Sequence, residues 1–467
     1  MSCAIKLTRR TLLGGAGALV AGAPALARMS IPALRGGVPG PTLSEAALLS
    51  VWTGAPTPDG VMLSTRLLGD PGEEGYVSIV TATDAALTEN VVWHNTVTSS
   101  DRIARHTLTG LPSDTQHYYA VALDGVPSGT IRGAFRTLPP AGAPLSFELV
   151  AGSCANTGST HPVFNTARTY RGSPLLMAHV GDLHYMDSTT TNDETRQDLY
   201  DMVFASGPQA DLYRLVPTAY MTGDHDFCGD ASHATSTGRD SAVRAFRARV
   251  PAPFVLNGAT DPLYYAFDVG RVRLIFTDQR SARTSPTAPD DAAKTMLGAT
   301  QKAWFKALFD RANPANQNRF YIWFSEVPWT APVEARDHWG GYSTERLELA
   351  DHFKAEGWEG LICVVAGDQH GLSIDTGANG DYATGGGMDI PVFQCGGFNR
   401  PAGAKGGPYN LGTSFGNVYG RVQIVDTGGS TITVRFYAVS VSSDGTPTVR
   451  LDANSDGISH QFTSVAL

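Results

Sequence analysis

Cysteine is scarce in this chain, five among 467 residues, and no close spacing suggests a disulfide framework. Cys3 belongs to an N-terminal segment that is set aside below, and Cys363 sits in the apolar run Leu361–Val365 and reads as core. Cys228 has a pairing open to it only in an oxidising compartment. Charge is sparse as well, at 17% Asp, Glu, Lys and Arg, with a formal balance of −9 and no basic cluster. That balance argues against nucleic acid as a partner. It leaves an anionic substrate open, because local cations can reverse the sign of a site. Long apolar runs are also missing: past residue 27 none reaches 18 residues, so no membrane span is expected in the mature chain. What is abundant is glycine, 51 residues, and proline, 28, the turn formers that a strand-rich fold needs. A 42% hydrophobic content over this length supports a large core and two domains.

Residues 1–27 read as an export signal. Thr8-Arg9-Arg10-Thr11-Leu12-Leu13 opens an apolar run to Val20, and Ala25-Leu26-Ala27 forms a small-residue cleavage site. The paired arginines point to the twin-arginine export machinery as a partner and to the periplasm or secretion as destination. Residues 28–42, rich in Pro and Gly, form a linker. From 43 to 138, seven short strand-like runs at roughly ten-residue spacing predict an all-β sandwich. The Leu111-Pro112 step before His117-Tyr118-Tyr119 resembles the fibronectin type III pattern of an Ig-like sandwich. No catalytic residues cluster there, so this module reads as structural. Residues 145–467 alternate apolar strands with helical segments at 190–204, 239–248, 297–312 and 343–356, which predicts an α/β domain. Strands at 417–425, 431–441 and 446–452 extend its sheets.

The repeating feature of this second domain is how its strands end. The successive endings are Gly152-Ser153-Cys154, Gly181-Asp182, Gly223-Asp224-His225-Asp226, Asp278-Gln279-Arg280, Ser325-Glu326 and Gly367-Asp368-Gln369-His370. A single Asp or Ser after a strand has a simple explanation as a helix cap. Six such endings with this mix of Asp, His, Cys and Arg are not explained by capping, and ligands of open α/β sheets bind at the carboxyl ends of strands. Carboxylates brought together raise one another's pKa or bind cations. His370 adds an imidazole, Tyr185 a phenolate and Cys154 a thiolate, a set that favours Fe(III) or Zn, while carboxylates suit a harder Ca, Mg or Mn. Two such metals would activate a water and clamp an in-line displacement at phosphorus. His225, held off the metals by Asp226, would meet the leaving oxygen, and Arg280 would grip a phosphoryl oxygen bidentately. Asp278 reads as a turn residue more than a ligand, and His184 and Asp187 as neighbours at the pocket rim.

Gly181-Asp182-Leu183-His184-Tyr185 resembles the Gly-Asp-x-x-Tyr block of the purple acid phosphatase-type metallophosphoesterases. The full order of blocks more closely resembles the alkaline phosphatase D-like (PhoD-like) family. Its Asp-x-Arg, Ser-x-Val-Pro-Trp and Gly-Asp-x-His blocks stand here as Asp278-Gln279-Arg280, Ser325–Trp329 and Gly367–His370, and Trp339-Gly340-Gly341-Tyr342 with Glu345-Arg346 precedes the last of them. The resemblance implies an αββα metallophosphoesterase sandwich behind the N-terminal β-sandwich. It implies ferric iron bound by Cys154 and Tyr185, calcium as the second metal, and Asp182 bridging the two. Asp224 stands where the superfamily has an Asn ligand, His225 stands at the phosphate or leaving group, and Asp368 and His370 ligate opposite metals. The implied activity is hydrolysis of phosphate esters by a metal-bound hydroxide attacking in line. Two other readings stay open: a phosphodiesterase or phospholipase D-like enzyme acting on lipid head groups or wall polymers, and a non-catalytic cell-surface binding protein. The chain departs from the family's pattern at Thr222-Gly223 and at Glu326, where Trp-Asp and Gln are usual, and Glu326 is thereby offered as a ligand of the second cation.

Overall fold

Alternation of apolar and polar residues builds the N-terminal strands, and continuous apolar runs build those that follow. The computed structural model describes residues 48–68, 76–94, 97–98, 102–123, 125–204, 207–317, 319–401, 407–413, 416–450 and 457–464. The expected signal 1–27, the linker 28–42 and the first residues of the sandwich lie outside the described residues. Two antiparallel sheets form the sandwich. One joins β1 (Leu48–Thr57), β2 (Gly60–Leu67) and β6 (Ile103–Leu108). The other joins β3 (Tyr76–Ala82), β4 (Val92–Trp93), β5 (Val97–Thr98), β7 (Gln116–Leu123) and β8 (Val126–Arg136). Val51, Leu63, Ile79, Val121 and Phe135 meet between them in a small core of their own.

The second domain is two seven-stranded sheets packed face to face with helices outside, the αββα arrangement. The first sheet runs in the order β11 (Thr218–Met221), β10 (Leu176–Val180), β9 (Phe147–Gly152), β19 (Val418–Val425), β20 (Thr433–Val441), β21 (Pro447–Arg450), with β22 (His460–Thr463) on β20. The second runs β12 (Tyr265–Val269), β13 (Val272–Phe276), β14 (Phe320–Ser325), β15 (Ile362–Ala366), β17 (Val392–Cys395), β16 (Leu372–Asp375), β18 (Leu411–Thr413). Within the first, β9, β10 and β11 are parallel, and within the second β13, β14, β15 and β17 are parallel, so each set delivers its chain ends to one rim. The C-terminal strands enter the first sheet beside β9 rather than adding to its far edge. Apolar side chains of both sheets interlock between them, with Phe393 stacked on Phe436 at 4.3 Å between ring centroids.

The outer layers follow helical spacing. In α7 (Ser343–Ala355) the buried Arg346, Leu349, Ala350 and Phe353 recur at three- and four-residue steps, the period of one helix face. That face and Phe305 of α6 (Ala299–Leu308) cover Tyr321 and Trp323 of β14. The first sheet is covered by α1 (Val163–Thr169), α2 (Asp193–Phe204), α3 (Gly207–Leu215) and α5 (Arg239–Arg249). Both α1 and α3 are absent from the sequence expectation, being short and weakly periodic, as is the single turn α4 (Asp224–Phe227) that opens on the buried Asp224. Cys154, Cys228, Cys363 and Cys395 are buried and free, so the pairing left open for Cys228 is not made. Among the described residues no helix is long and apolar enough to cross a membrane.

The β-sandwich and the αββα layers belong to one compact unit, Val38–Leu467. Trp52 of β1 reaches out of the sandwich and donates its indole N–H to the Thr218 carbonyl at 3.2 Å. Its ring lies against Phe204, Tyr213 and Tyr220 at 4.9, 5.7 and 5.5 Å. Arg66 of β2 and Arg249 of α5 share the Asp201 carboxylate at 3.1 and 2.6 Å.

Candidate metal centre

The repeated Gly before Asp at the strand ends has a steric cause. A Cβ at Gly223 would stand 2.2 Å from Oδ1 of Asp182, and one at Gly367 would stand 2.1 Å from the Val180 carbonyl oxygen. Neighbouring strand ends within the first sheet, and strand ends across the two sheets, therefore approach so closely that only glycine fits there. The donor residues beside them are held in a backbone region that non-glycine residues avoid. Cys154, Asp182, Asp368 and His370 have φ of +56°, +57°, +69° and +33°. Four such residues, three of them directly at strand ends, mark strain sustained for a functional arrangement.

Their side chains converge. Cys154 Sγ lies 3.5 Å from Oδ2 of Asp182, and the Tyr185 hydroxyl donates to that same oxygen at 2.9 Å. The Tyr185 hydroxyl also lies 2.8 Å from Nε2 of His370. Cys154, Asp182 and His370 thus present one set of donor atoms, and Asp182, Asp224 and His225 present another. Asp182 is common to both, with Oδ2 facing the first set while Oδ1 accepts the His225 backbone N–H at 3.2 Å. A further set, Asp224, Glu326 and Asp368, adjoins the second. Asp224 is held by the Ala231 N–H on Oδ2, while its buried Oδ1 has no hydrogen-bond partner. A buried carboxylate oxygen left in this state is costly unless a cation satisfies it.

Electrostatics points the same way. Burial, followed by the charges of Asp224, Asp226, Glu326 and Asp368, pushes the Asp182 carboxyl well above the usual carboxylate range. Burial and then Asp182 and Asp368 push the Cys154 thiol up, and burial with Cys154 and Asp182 raises the Tyr185 phenol. Such groups ionise when a cation takes the proton's place. For Asp368 burial acts upward, but the 2.9 Å contact with His338 and the charges around it outweigh burial and hold the carboxyl low. The donors present fit a centre of two metals: thiolate, phenolate and imidazole on one side, carboxylates on the other, and one carboxylate between.

Two expected contacts are corrected. Asp226 does not hold His225: its oxygens accept from Leu183 N, Gly223 N and Thr222 Oγ1 at 2.8, 2.8 and 2.7 Å and from the Tyr220 hydroxyl. It knots the turn that follows β11, and Thr222-Gly223 serve that knot. Burial, against these donors, leaves its carboxyl at about 6. Arg280 is fully buried and forks onto Glu326 (Nε to Oε2, 2.8 Å) and Asp337 (3.2 Å from both terminal nitrogens). Burial opposes its charge, but Asp337, Glu326 and Asp224 hold the guanidinium firmly protonated. Its donors are committed to carboxylates, so a phosphoryl grip from Arg280 is not the arrangement seen. Asp278 is a turn residue, accepting from Leu263 N, Arg280 N and Ser281 N. His184 is buried against Tyr200, away from the rim where it was expected.

Sequence reasoning also passed over residues that the fold brings in. Asp337 and His338 join Asp368 in a further set of potential ligands. They directly precede Trp339-Gly340-Gly341-Tyr342, a block that the sequence did single out, so the signal stood one residue away. Arg400 lies with its guanidinium 3.7 Å from the Tyr185 ring centroid and donates to Asn156 Oδ1 at 2.9 Å. It follows β17 and has no motif around it.

Residues 220–382 match the family described as PhoD-like phosphatase, and residues 41–139 match the PhoD-like phosphatase N-terminal domain. Cys154, Asp182 and Tyr185 precede the first of these spans, so their assignment rests on geometry. Purple acid phosphatase 15 of Arabidopsis thaliana is 27% identical over 190 residues, 36% of this chain; the match spans 33% of that relative's length. A solved structure titled "Structure of PhoD" superposes with a TM-score of 0.73 over 91% of each chain at 16% identity. The purple acid phosphatase PPD1 of yellow lupin (Lupinus luteus) superposes with a TM-score of 0.55 over 90% of this chain and 74% of that one, at 12% identity. At these identities the two structures speak for the fold.

Proposed function

For a chain that belongs to the PhoD-like phosphatase family, as this one does, we propose an iron–calcium centre that hydrolyses a phosphate ester outside the cytoplasm. That the protein is a phosphoric ester hydrolase dependent on metal follows from the family itself. The finer reading is supported by one observation: two donor sets that share Asp182, one with the Cys154 thiol and the His370 imidazole, the other with the Asp224 carboxylate and the His225 imidazole, and with Glu326 and Asp368 adjoining Asp224. The soft side, Cys154 and Tyr185 with His370, suits ferric iron, with zinc as the other candidate. The oxygen side, Asp224 and Asp368 with Glu326 beside them, suits calcium, with manganese or magnesium as alternatives. When bound, the metals supply Lewis acidity and a nucleophile at the working pH. Export is supported by Arg9-Arg10 and the apolar run behind them, which would make the twin-arginine machinery a partner and the periplasm or medium the destination.

The chain's own groups then divide the work. Asp182, common to both donor sets, would help to hold either cation and would offset part of its charge. His225 Nε2 lies 4.0 Å from Asp224 Oδ1, on the carboxylate side of the centre, and there meets the leaving oxygen. Arg400, rather than the committed Arg280, is the guanidinium left to orient a phosphoryl oxygen. Arg280 instead keeps Glu326 in place beside Asp224 and Asp368.

Chromogenic phosphomonoester and phosphodiester hydrolysis, each measured with and without chelator alongside metal analysis of the purified protein, tests this reading. Activity on at least one ester, lost with chelator and restored by iron plus calcium, is the expected result. Protein that carries no metal and hydrolyses neither ester would refute it and leave the non-catalytic binding alternative. A visible absorption band is expected from thiolate and phenolate ligation of iron. Cys154→Ala and Tyr185→Phe should each shift or abolish it, and a band untouched by both excludes these two as iron ligands.

A further inference from the structure

We propose, on the reading of Asp368 as a ligand of the oxygen-side cation, that His338 is a positioning residue for that cation. It holds one carboxylate oxygen of Asp368 and so leaves the other to the metal. His338 lies between β14 and α7, in a segment that ends no strand. Its neighbours on both sides are pinned. Asp337 keeps its carboxylate on two fully buried guanidinium groups, 3.2 Å from both terminal nitrogens of Arg280 and in contact with Arg283. Arg283 also donates to the Asp337 carbonyl at 3.1 Å. Trp339 is buried against Trp323 and Trp329, at 5.5 and 5.4 Å between ring centroids, and donates its indole N–H to Ser325 Oγ at 3.1 Å. A Cβ at Gly340 would stand 1.9 Å from the Pro332 carbonyl oxygen, and one at Gly341 2.4 Å from that of Arg336. The turn after His338 therefore closes this tightly only with glycine.

A rigid segment thus carries one imidazole to one oxygen: Nε2 of His338 lies 2.9 Å from Oδ2 of Asp368. Nδ1 of the same ring is buried and has no hydrogen-bond partner. A buried histidine kept for its hydrogen bonds alone is expected to satisfy both nitrogens. This ring leaves one bare, while the other meets a carboxylate whose backbone is held at φ of +69°. Asp337, His338 and Asp368 lie close enough to share a cation. They do not complete a site of their own, because Arg280 and Arg283 already neutralise Asp337. Asp368 also stands with Asp224 and Glu326, and it is on this set that His338 acts. A hydrogen bond to a ligating carboxylate fixes its orientation and confines ligation to the oxygen that remains. Arg280 forks onto Glu326 and Asp337 together, which ties the segment carrying His338 to the same set.

The consequence is confined to one metal. Iron-loaded protein, stripped of its second cation by a calcium chelator and then titrated with calcium, tests it. In His338→Ala the calcium dissociation constant from equilibrium dialysis is expected to rise roughly 10- to 100-fold. The calcium concentration that half-restores hydrolysis of p-nitrophenyl phosphate should rise with it, and saturating calcium should return most of the activity. The visible iron band and the thermal midpoint in chelator should stay near wild type. His338→Gln, whose side-chain amide donates at the reach of Nε2, should recover most of the affinity, which a mere loss of packing would not allow. A His338→Ala protein that binds calcium as tightly as wild type, or that loses the iron band along with calcium, would overturn the inference. So would a His338→Gln protein no better than His338→Ala. Asp368→Asn should lose calcium outright; were it to bind calcium as wild type does, the reading of Asp368 as a ligand falls and the role of His338 with it.

Discussion

Asp182→Asn is expected to reduce kcat/KM by on the order of 10³-fold or more, a loss of about 4 kcal/mol of transition-state stabilisation. Bound metal should fall with it. The side chain is the one shared by both donor sets, so its loss weakens each rather than one. The replacement is isosteric and keeps an acceptor for the Tyr185 hydroxyl, so the protein should fold. The metal-free protein should respond in the opposite direction. Burial and the surrounding carboxylates raise the Asp182 carboxyl above its unfolded value of 3.8. The native state then holds a proton that the unfolded state releases. The contribution of Asp182 to metal-free stability is therefore greatest at acid pH and is lost as pH rises above the ordinary carboxylate range, until the native carboxyl also ionises. Asp182→Asn removes that loss. Thermal melts in chelator should show wild type weakening from acid to alkaline pH and Asp182→Asn weakening less, while added metal restores wild type alone. An Asp182→Asn enzyme that retains full metal and more than a tenth of wild-type activity would contradict the shared role.

Trp52→Ala is expected to cost about 3–5 kcal/mol of stability, the usual range for removing a buried aromatic. Typical domains have only about 5–15 kcal/mol to lose. Trp52 is 3% exposed and belongs to the core cluster of the catalytic layers although its strand belongs to the sandwich. The change leaves the Thr218 carbonyl without its indole donor and opens a void against Phe204, Tyr213 and Tyr220. Trp52→Phe should recover much of the packing and none of the hydrogen bond. Denaturant or thermal unfolding of both variants checks this, and a midpoint unchanged in Trp52→Ala would show that the sandwich is merely tethered. Thr218 begins β11, whose far end leads to Asp224, so the sandwich supports the strand that brings Asp224 to the candidate centre. Its structural role, read from the lack of chemistry in residues 43–138, thereby acquires a physical basis.

Much of the centre was legible in the order of residues because parallel strands impose a rule. A parallel strand must return to the same end of its sheet, so whatever follows each strand gathers at one rim. Cys154, Asp182, Asp224, Glu326 and Asp368 all follow strands this way, and the glycines before three of them reflect how closely the ends approach. The N-terminal sandwich was readable from strand spacing, and α2, α5, α6 and α7 as helical segments alternating with apolar strands. The short α1, α3 and α4 were not, since so short a helix is held by what it packs against rather than by its own pattern.

The contacts between neighbouring loops were harder. In sequence, Asp226 is the nearer carboxylate to His225, and Arg280 the arginine nearest a motif. The structure turns Asp226 back into its own turn and buries Arg280 between Glu326 and Asp337. It gives His225 to Asp187, Asp368 to His338 and the face of Tyr185 to Arg400. Each of these pairs joins loops separated by 30 to 215 residues or so along the chain, whose relative placement depends on which strands pair within a sheet and, for Tyr185 and Arg400, on how the two sheets pack. A strand's direction and the chemistry at its end are local properties written in neighbouring residues. Which oxygen faces which nitrogen across the rim is decided by sheet twist, loop closure and the strained backbone at the strand ends. Residues 176–187 carry both kinds of information. Their pattern marks Asp182 and Tyr185 as candidates for the chemistry of the site, while the contact of Asp187 with His225 exists only once β10 and β11 lie side by side.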